Sequence, residues 1–442
     1  MPLVIEAWYA LGLNRVAKKQ VRMRERQKVL TDAEWVEVLT VLLVSGGREV
    51  EDLEALRRDA GLLEMWPVLR RASTRSALNY LHRFDDPELP RGKAGEALIV
   101  EETEGLKGLG VVNECLVREL QRTREEKEAT IDVDASVHES GKRDALWTYD
   151  GVRGYQPVIA YWAEQGVVVG DQFRDGNVPA GMGNLEFIER VMKGLPRGIE
   201  KRRVRGDSAL YEQKLLRWMD REGIEFGVSA DMSVQLKEEV MRIPEEDWRA
   251  YEKVTEEGER VKTGREWAEV CYVPTEPGAK KGERPFRYIG IRVPKREPDL
   301  FGAKWEYFAV VTNRWDMGGN ELLSWHRGKC GTVEQAHDML KNDMGARVLP
   351  SGRYGANAAW YRLNVLAFNL MRTLGRIALR GYEGKRPYTM RKHTLQIAAR
   401  VVSSSRQRTV TFSEENRECR DGLAEGRGEV RRRSCWGVGR ET

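Results

Sequence analysis

The sequence predicts an α/β fold: a mixed sheet with helices, interrupted by a β-rich insertion and preceded by a helical domain. Three observations predict it. Apolar residues recur at helical spacing up to about residue 125, strands alternate with helices from Thr130 to about Asp231, and a polar, irregular stretch with strand-like runs follows to about residue 320. At 442 residues the chain exceeds one ordinary core, and 41% hydrophobic content suffices for two or three. No apolar run approaches the ~20 residues of a membrane span, and the first six residues lack a basic region leading into an apolar signal core, so a cytoplasmic protein with no membrane partner is expected. Five scattered cysteines without a C-x-x-C pair argue against a disulfide framework and a zinc site.

Taken in order, Thr31 and Glu34 make a capping box that opens a helix carrying Trp35, Val38, Leu39, Leu42 and Leu43, and Gly46-Gly47 closes it. Leu53, Leu56, Leu62 and Leu63 mark a second helix. Ser73-Thr74 opens a basic third helix with Arg75, Asn79 and Arg83 outward, an order that suits a helix-turn-helix entering a major groove or, equally, an ordinary helical domain. The stretch 130–136 is then the first strand-forming run that carries carboxylates. Alternation places Asp132 and Asp134 on one face, opposite Ile131 and Val133, and a carboxylate on a buried strand requires a cation or a hydrogen-bond network to offset its desolvation.

Strands at 154–162 and 166–173 extend a meander from the first. A helix with Leu185, Ile188, Val191, Met192 and Leu195, a strand at 202–207, a helix with Leu215, Leu216, Trp218 and Met219, and a strand at 224–229 complete the series. Three antiparallel strands, helix, strand, helix, strand is the order of the ribonuclease-H-like sheet, in which the first and fourth strands are neighbours, so Asp134 and Asp207 should meet. Strand-like pieces at 269–273, 286–293 and 305–312, joined by Pro/Gly-rich connections such as 274–278, form the expected insertion. Helices follow over 332–341, where Glu334 shares a face with Lys341, and over about 356–379. The expected organisation is thus a helical domain (1–125), a ribonuclease-H-like domain (126–231 and 321–400), a β-rich insertion (232–320) and a loose tail (401–442).

Charge is segregated along the chain. Residues 347–400 hold eleven Lys or Arg against one acid, Glu383, and residues 15–28 hold seven against Glu25. Such imbalance repels itself unless an anion lies against it, and the phosphate backbone is the commonest such partner, so DNA contact is expected over 347–400, with Arg372 and Arg376 as phosphate contacts.

The chain resembles the DDE transposases of bacterial insertion sequences, in the cut-and-paste branch with a β-strand insertion between the second Asp and the Glu. The resemblance is carried, in order, by Ile131-Asp132-Val133-Asp134-Ala135-Ser136, by 149–157, by Arg205-Gly206-Asp207-Ser208-Ala209, by Gly331-Thr332-Val333-Glu334 and by 355–360, and it spans the chain to about residue 400. It implies Asp134, Asp207 and Glu334 as catalytic residues and metal ligands, a DNA-binding role for the helical domain and a catalytic role for the ribonuclease-H-like domain. In that family a small residue and Ser or Thr follow the first catalytic Asp, which matches Asp134 rather than Asp132. Such chemistry needs a water, and later a DNA 3′-hydroxyl, made nucleophilic, and hard carboxylate oxygens hold two Mg²⁺ about 3.5–4 Å apart for that purpose, with Mn²⁺ able to substitute. The implied partners are double-stranded DNA, as terminal inverted repeats and as target, and a second copy of the chain in a homodimeric synaptic complex on the bacterial nucleoid.

The family's Tyr-x2-Arg-x3-Glu-x6-Lys pattern is met at Glu334 and Lys341, whereas Arg327 stands at the Tyr position and Cys330 at the Arg position. Arg327 and Lys329, beside Trp325 and His326, would supply the displaced cation and aromatic. The resemblance makes Lys341 a phosphate contact, with a structural ion pair as the other reading. Trp305 is the implied counterpart of the insertion aromatic that stacks on a flipped base, with a core position as the other reading. Two alternatives remain open: a decayed or domesticated copy acting only as a DNA-binding protein, and a ribonuclease-H-like nuclease without strand transfer.

Overall fold

The structure is a computed structural model that describes residues 1–23, 29–142, 144–254, 258–274, 284–297, 304–404, 407–412 and 417–434. Part of the first basic stretch (24–28), most of the 274–278 connection and Cys435 lie outside the described residues.

Local rules set the N-terminal helices. Thr31 Oγ1 accepts from Glu34 N at 3.1 Å and Glu34 Oε2 accepts from Thr31 N at 2.7 Å, so the capping box starts Asp32–Ser45, and Gly46 ends it at a φ of 103° that a side chain would strain. The expected second helix is split into Leu53–Arg57 and Ala60–Met65, the latter capped by Asp59. Thr74–Leu81, capped by Ser73, turns Ala77, Tyr80 and Leu81 inward, where the Tyr80 ring stacks on Trp35 with centroids 5.7 Å apart.

β1 (Glu128–Ala135) is the axis of the sheet. It leads into a small three-stranded sheet made of β2 (His138–Glu139), β3 (Leu146–Trp147) and β4 (Arg153–Tyr155), ordered β2-β4-β3. The strand expected over 154–162 is therefore two strands, broken where Gln156 donates to Arg174 O and Pro157 has no N–H to offer a ladder. β5 (Val158–Trp162), β6 (Val167–Gln172), β7 (Lys201–Gly206) and β8 (Glu225–Ser229) follow, and β7 runs parallel to both β1 and β8.

β9 (Arg249–Val254), β10 (Arg260–Val270), β11 (Arg287–Pro294) and β12 (Trp305–Thr312) come from the insertion. They do not stand apart from the main sheet. β12 pairs antiparallel with β8, Val310 opposite Ser229, so one nine-stranded sheet runs β6-β5-β1-β7-β8-β12-β11-β10-β9. Its β6-β5-β1-β7-β8 half has the ribonuclease-H-like order, with the first and fourth strands adjacent.

The helix Tyr354–Ile377 packs between the sheet and the N-terminal helices Asp32–Ser45 and Glu104–Thr123, and every residue of it except Arg376 is buried. The C-terminal stretch expected to be loose is partly folded: Ala399–Ser404 pairs with Gln407–Phe412, and the helix Arg417–Ser434 lies on Pro2–Ala10. Its sequence lacks apolar rhythm because ion pairs and a glycine hold it. Arg427 Nε donates to both Glu6 carboxylate oxygens at 2.8 and 2.7 Å, and a Cβ at Gly426 would stand 2.3 Å from Ala378 O. No helix among the described residues is long and apolar enough to cross a membrane.

Candidate active site

The site forms where β1 and β7 end. Asp132 is paired with Arg205 in the parallel register; two residues on, Asp134 lies near the end of β1 and Asp207 directly follows the end of β7, close enough that the charge of Asp207 acts on Asp134. Asp207 also caps the short turn Ser208–Leu210, its carboxylate accepting from Ala209 N at 3.0 Å. The third acid arrives on the helix Val333–Asp338, which packs on β1 and β5. One hydrogen bond docks that helix: His337 Nε2 donates to Asp134 O at 3.3 Å, and the same nitrogen lies 3.8 Å from Asp134 Oδ2. Glu334, three residues earlier, stands exposed on the first turn.

The electrostatics place the three acids within reach of one another. The Asp134 carboxyl is pushed up to about 6, chiefly by burial; Lys329 counters this, while the charges of Asp207 and Glu334 add to it. Burial pushes the Cys330 thiol up, helped by the charge of Glu334 and a hydrogen bond to it. Burial and Arg347 hold the Lys341 ammonium below its usual range, against the pull of Asp134 and Asp150. Burial, with nearby lysines, pushes His337 down to about 3, so its ring is neutral at pH 7 and Nε2 carries the donated proton.

This donor set suits a hard divalent cation: three carboxylates crowd one another, and a cation would reverse the upward shift of Asp134. Among the described residues no three acidic, His or Cys side chains already form a metal cage. Glu334, exposed, is the arm with room to close one.

Asp132 has a different part. It is fully buried, and Arg205 grips it through Nε at 2.6 Å and Nη2 at 2.8 Å, while Thr332 Oγ1 also donates to it. Arg205 Nη1 donates to Trp325 O as well, so this ion pair fastens β1, β7 and both ends of the loop that leads to Glu334. Alternation set Asp132 and Asp134 on one face but not at one depth; the signal was Arg205, directly across the strand pair. Asn184 was not singled out by the sequence. It donates to Ala209 O at 2.8 Å and to Ala180 O at 2.9 Å, and accepts from Arg174 Nη2 at 3.2 Å, steadying the turn that holds Asp207.

The remaining expected site residues are scattered. Lys329 is buried beside the acids, and Lys341 sits half-buried in the π-turn Met339–Asp343 that follows the Glu334 helix. The Arg327 guanidinium lies 5.7 Å from the Tyr251 ring. Trp305 begins β12, five residues beyond the Val310–Ser229 pair and so about 17 Å past the end of β8. The Arg292 guanidinium lies over its ring at 4.4 Å and over Trp248 at 4.6 Å. Arg75, Asn79 and Arg83 are exposed on the N-terminal helices.

Arg372 and Arg376 do not lie on an outer face. Arg372 is buried and donates to Gly166 O at 3.0 Å and Lys385 O at 3.3 Å; Arg376 donates to Gln165 Oε1 at 3.0 Å and Glu164 O at 3.1 Å. Both fasten their helix to the β5–β6 turn. Part of the basic excess of 347–400 is answered within the chain, buried Arg362 by Asp171 and Glu102 and exposed Arg386 by Asp338 and Asp343, partners remote in sequence.

A family model described as "Transposase DDE domain group 1" matches residues 2–421. No curated protein matches the chain. Among solved structures, the chain is similar to a piggyBac transposase in a cryo-EM structure of its synaptic complex with hairpin DNA, at 10% identity and a TM-score of 0.47, over 98% of this chain and 81% of that one.

Proposed function

This chain belongs to the DDE transposase family, and from that premise we propose that it binds the terminal inverted repeats of its own element, cuts the DNA there and joins the freed 3′-hydroxyls to target DNA. Asp134, Asp207 and Glu334 are the residues that would hold divalent metal, Mg²⁺ by the hardness of their oxygens. Bound there, such ions would supply charge stabilisation at the phosphate and lower the pKa of a nucleophilic water. The single observation that supports this reading most is the approach of three acids, half-buried Asp134 and Asp207 near two adjacent strand ends and exposed Glu334 on a facing helix, close enough for the charges of Asp207 and Glu334 to act on Asp134.

The chain's own residues do the rest. In hydrolysis the water oxygen bonds to phosphorus and the 3′-oxygen leaves; in joining, a 3′-hydroxyl takes the place of water. Lys341, with Arg347 beside it, supplies positive charge for the phosphate, and His337 holds the backbone of Asp134 so that its carboxylate faces Asp207. The Asp132–Arg205 pair keeps the two strand ends in register. Arg75, Asn79 and Arg83 are placed to track DNA outside the site, and two copies of the chain would bring two ends together.

The test is excision. A plasmid carrying a marker between the DNA segments that flank the gene should lose the marker when the chain is supplied, and the resulting junction should map to inverted repeats in those flanks. Specific binding to the flanks with no excision, under conditions where a known transposase excises, would favour a protein that only binds DNA.

A further inference from the structure

The turn that carries Asp207 is held from outside the site by a chain of hydrogen bonds. Ala209 N donates to the Asp207 carboxylate at 3.0 Å, and Ala209 O accepts from Asn184 Nδ2 at 2.8 Å. One residue, Ala209, thus couples the acid to the first residue of the helix Asn184–Gly194. The buried amide of Asn184 is fully used: Nδ2 also donates to Ala180 O at 2.9 Å, and Oδ1 accepts from Arg174 Nη2 at 3.2 Å.

Arg174 is the unusual member of the chain. At 1% it is the least exposed arginine among the described residues. Buried Arg205, Arg287, Arg292 and Arg362 each hold a carboxylate, whereas Arg174 holds two neutral amides, Asn184 and Gln172, the latter from Nε at 2.6 Å. Its Nη1 meets no acceptor among the described residues. Burial holds this guanidinium down to about 10, against the pull of Tyr354 and with the push of Arg190. A buried cation without a counter-charge costs stability, so the two amides that face it need a reason to be there.

The oxygen and nitrogen of an amide differ little in size, and only their partners decide which way round it sits. A guanidinium has donors and no acceptor, and the carbonyls of Ala180 and Ala209 have acceptors and no donor. Between them Asn184 has one orientation, Oδ1 to the arginine and Nδ2 to the carbonyls. A carboxylate at this position would neutralise Arg174 but bring no donor to Ala209 O, and an apolar side chain would leave all three partners unmet. We propose that Asn184 is a positioning residue for Asp207, with Arg174 fixing its amide so that the Ala209 peptide, and through it the Asp207 carboxylate, keeps the geometry a divalent metal requires. The inference rests on the metal site proposed above and adds to it two residues that never touch the metal.

The test separates metal geometry from folding, with Mn²⁺ affinity followed by electron paramagnetic resonance and melting temperature measured without metal. Asn184→Asp gives Arg174 the charge it lacks and removes both donors. It should melt at or above the temperature of Asn184→Ala, yet both should bind Mn²⁺ about ten- to a hundredfold more weakly than the wild type. Arg174→Gln removes the buried charge and leaves a partner that both donates and accepts, which frees the amide to turn and should weaken Mn²⁺ about tenfold. Mn²⁺ affinity that merely follows melting temperature across the three variants overturns the positioning role, as does affinity within about threefold of wild type in Asn184→Asp and Arg174→Gln. If only one of those two folds, that one decides, and failure of both to fold makes the pair structural and overturns the proposal. Mn²⁺ binding that needs Asp207 but not Asn184, with Asp207→Asn as the control, overturns this inference alone. A wild-type chain that holds no Mn²⁺, or an Asp207→Asn variant that holds it as tightly, overturns the metal site and this inference together.

Discussion

Asp134→Ala, Asp207→Ala and Glu334→Ala, made singly, should each reduce metal-dependent cleavage of end DNA by at least about a thousandfold, while binding of that DNA changes by no more than about threefold. In the proposed site the three acids would act as one ligand set, so losing any one would disable it, whereas affinity would come from phosphate contacts elsewhere. Asp132→Ala is expected to fail for another reason. It strips the buried Arg205 of its carboxylate, a loss of about 3–5 kcal/mol of stability, so its defect should appear in the melting temperature first. Asp134→Asn should do the reverse. The folded carboxyl titrates near 6 against an ordinary 3.8, so the folded state holds the proton more tightly than the unfolded one, and stability falls as pH rises from about 4 through 6. Thermal melts without metal should show that fall in the wild type and a flatter profile in Asp134→Asn.

The largest effect on stability is expected at Arg362. It is buried at the middle of the internal helix, with Nε on Asp171 Oδ1 and Oδ2 at 3.1 and 2.9 Å, Nη1 and Nη2 on the two Glu102 oxygens at 2.9 Å each, and further bonds to Leu106 O and Asp171 O at 2.7 and 3.0 Å. The internal helix, β6 and the segment before the Glu104–Thr123 helix meet at this one guanidinium. Arg362→Met keeps most of the volume but leaves Asp171 buried without its cation and Glu102 with Arg190 alone, which should cost about 3–5 kcal/mol in denaturant unfolding. Adding Asp171→Asn to Arg362→Met should recover part of that loss. A single variant within about 0.5 kcal/mol of wild type would mean that the network contributes nothing net.

What was legible in the sequence was what short-range physics decides. The capping box at Thr31 and Glu34 and the period change at Thr130 depend on a few neighbouring residues, and together with the strand order they were enough to set Asp134 beside Asp207. Pairing between remote segments was not legible. Nothing near Val310 says that its strand adds to β8, so the insertion read as separate although it extends the sheet. Charge misled for the same reason: a run of arginines reads as an outer face until Asp171 and Glu102, far back in the chain, turn out to lie against Arg362, and until the carbonyls of Gly166 and Glu164 take up Arg372 and Arg376. The tail over 417–434 escaped notice because glycine against backbone and arginine against Glu6 leave no apolar period. The break at Pro157 is a signal that the expectation of one strand over 154–162 overlooked, since proline cannot serve a central ladder.

If Asp134, Asp207 and Glu334 together bind the divalent metal that cuts DNA, Mn²⁺ binding followed by electron paramagnetic resonance on the folded chain with duplex DNA should depend on all three. Mn²⁺ should be held by the wild type and bound at least about tenfold more weakly in each of Asp134→Asn, Asp207→Asn and Glu334→Gln, with all three still folded and still binding DNA. Mn²⁺ binding that is unchanged in all three variants would mean that these acids are not the metal ligands.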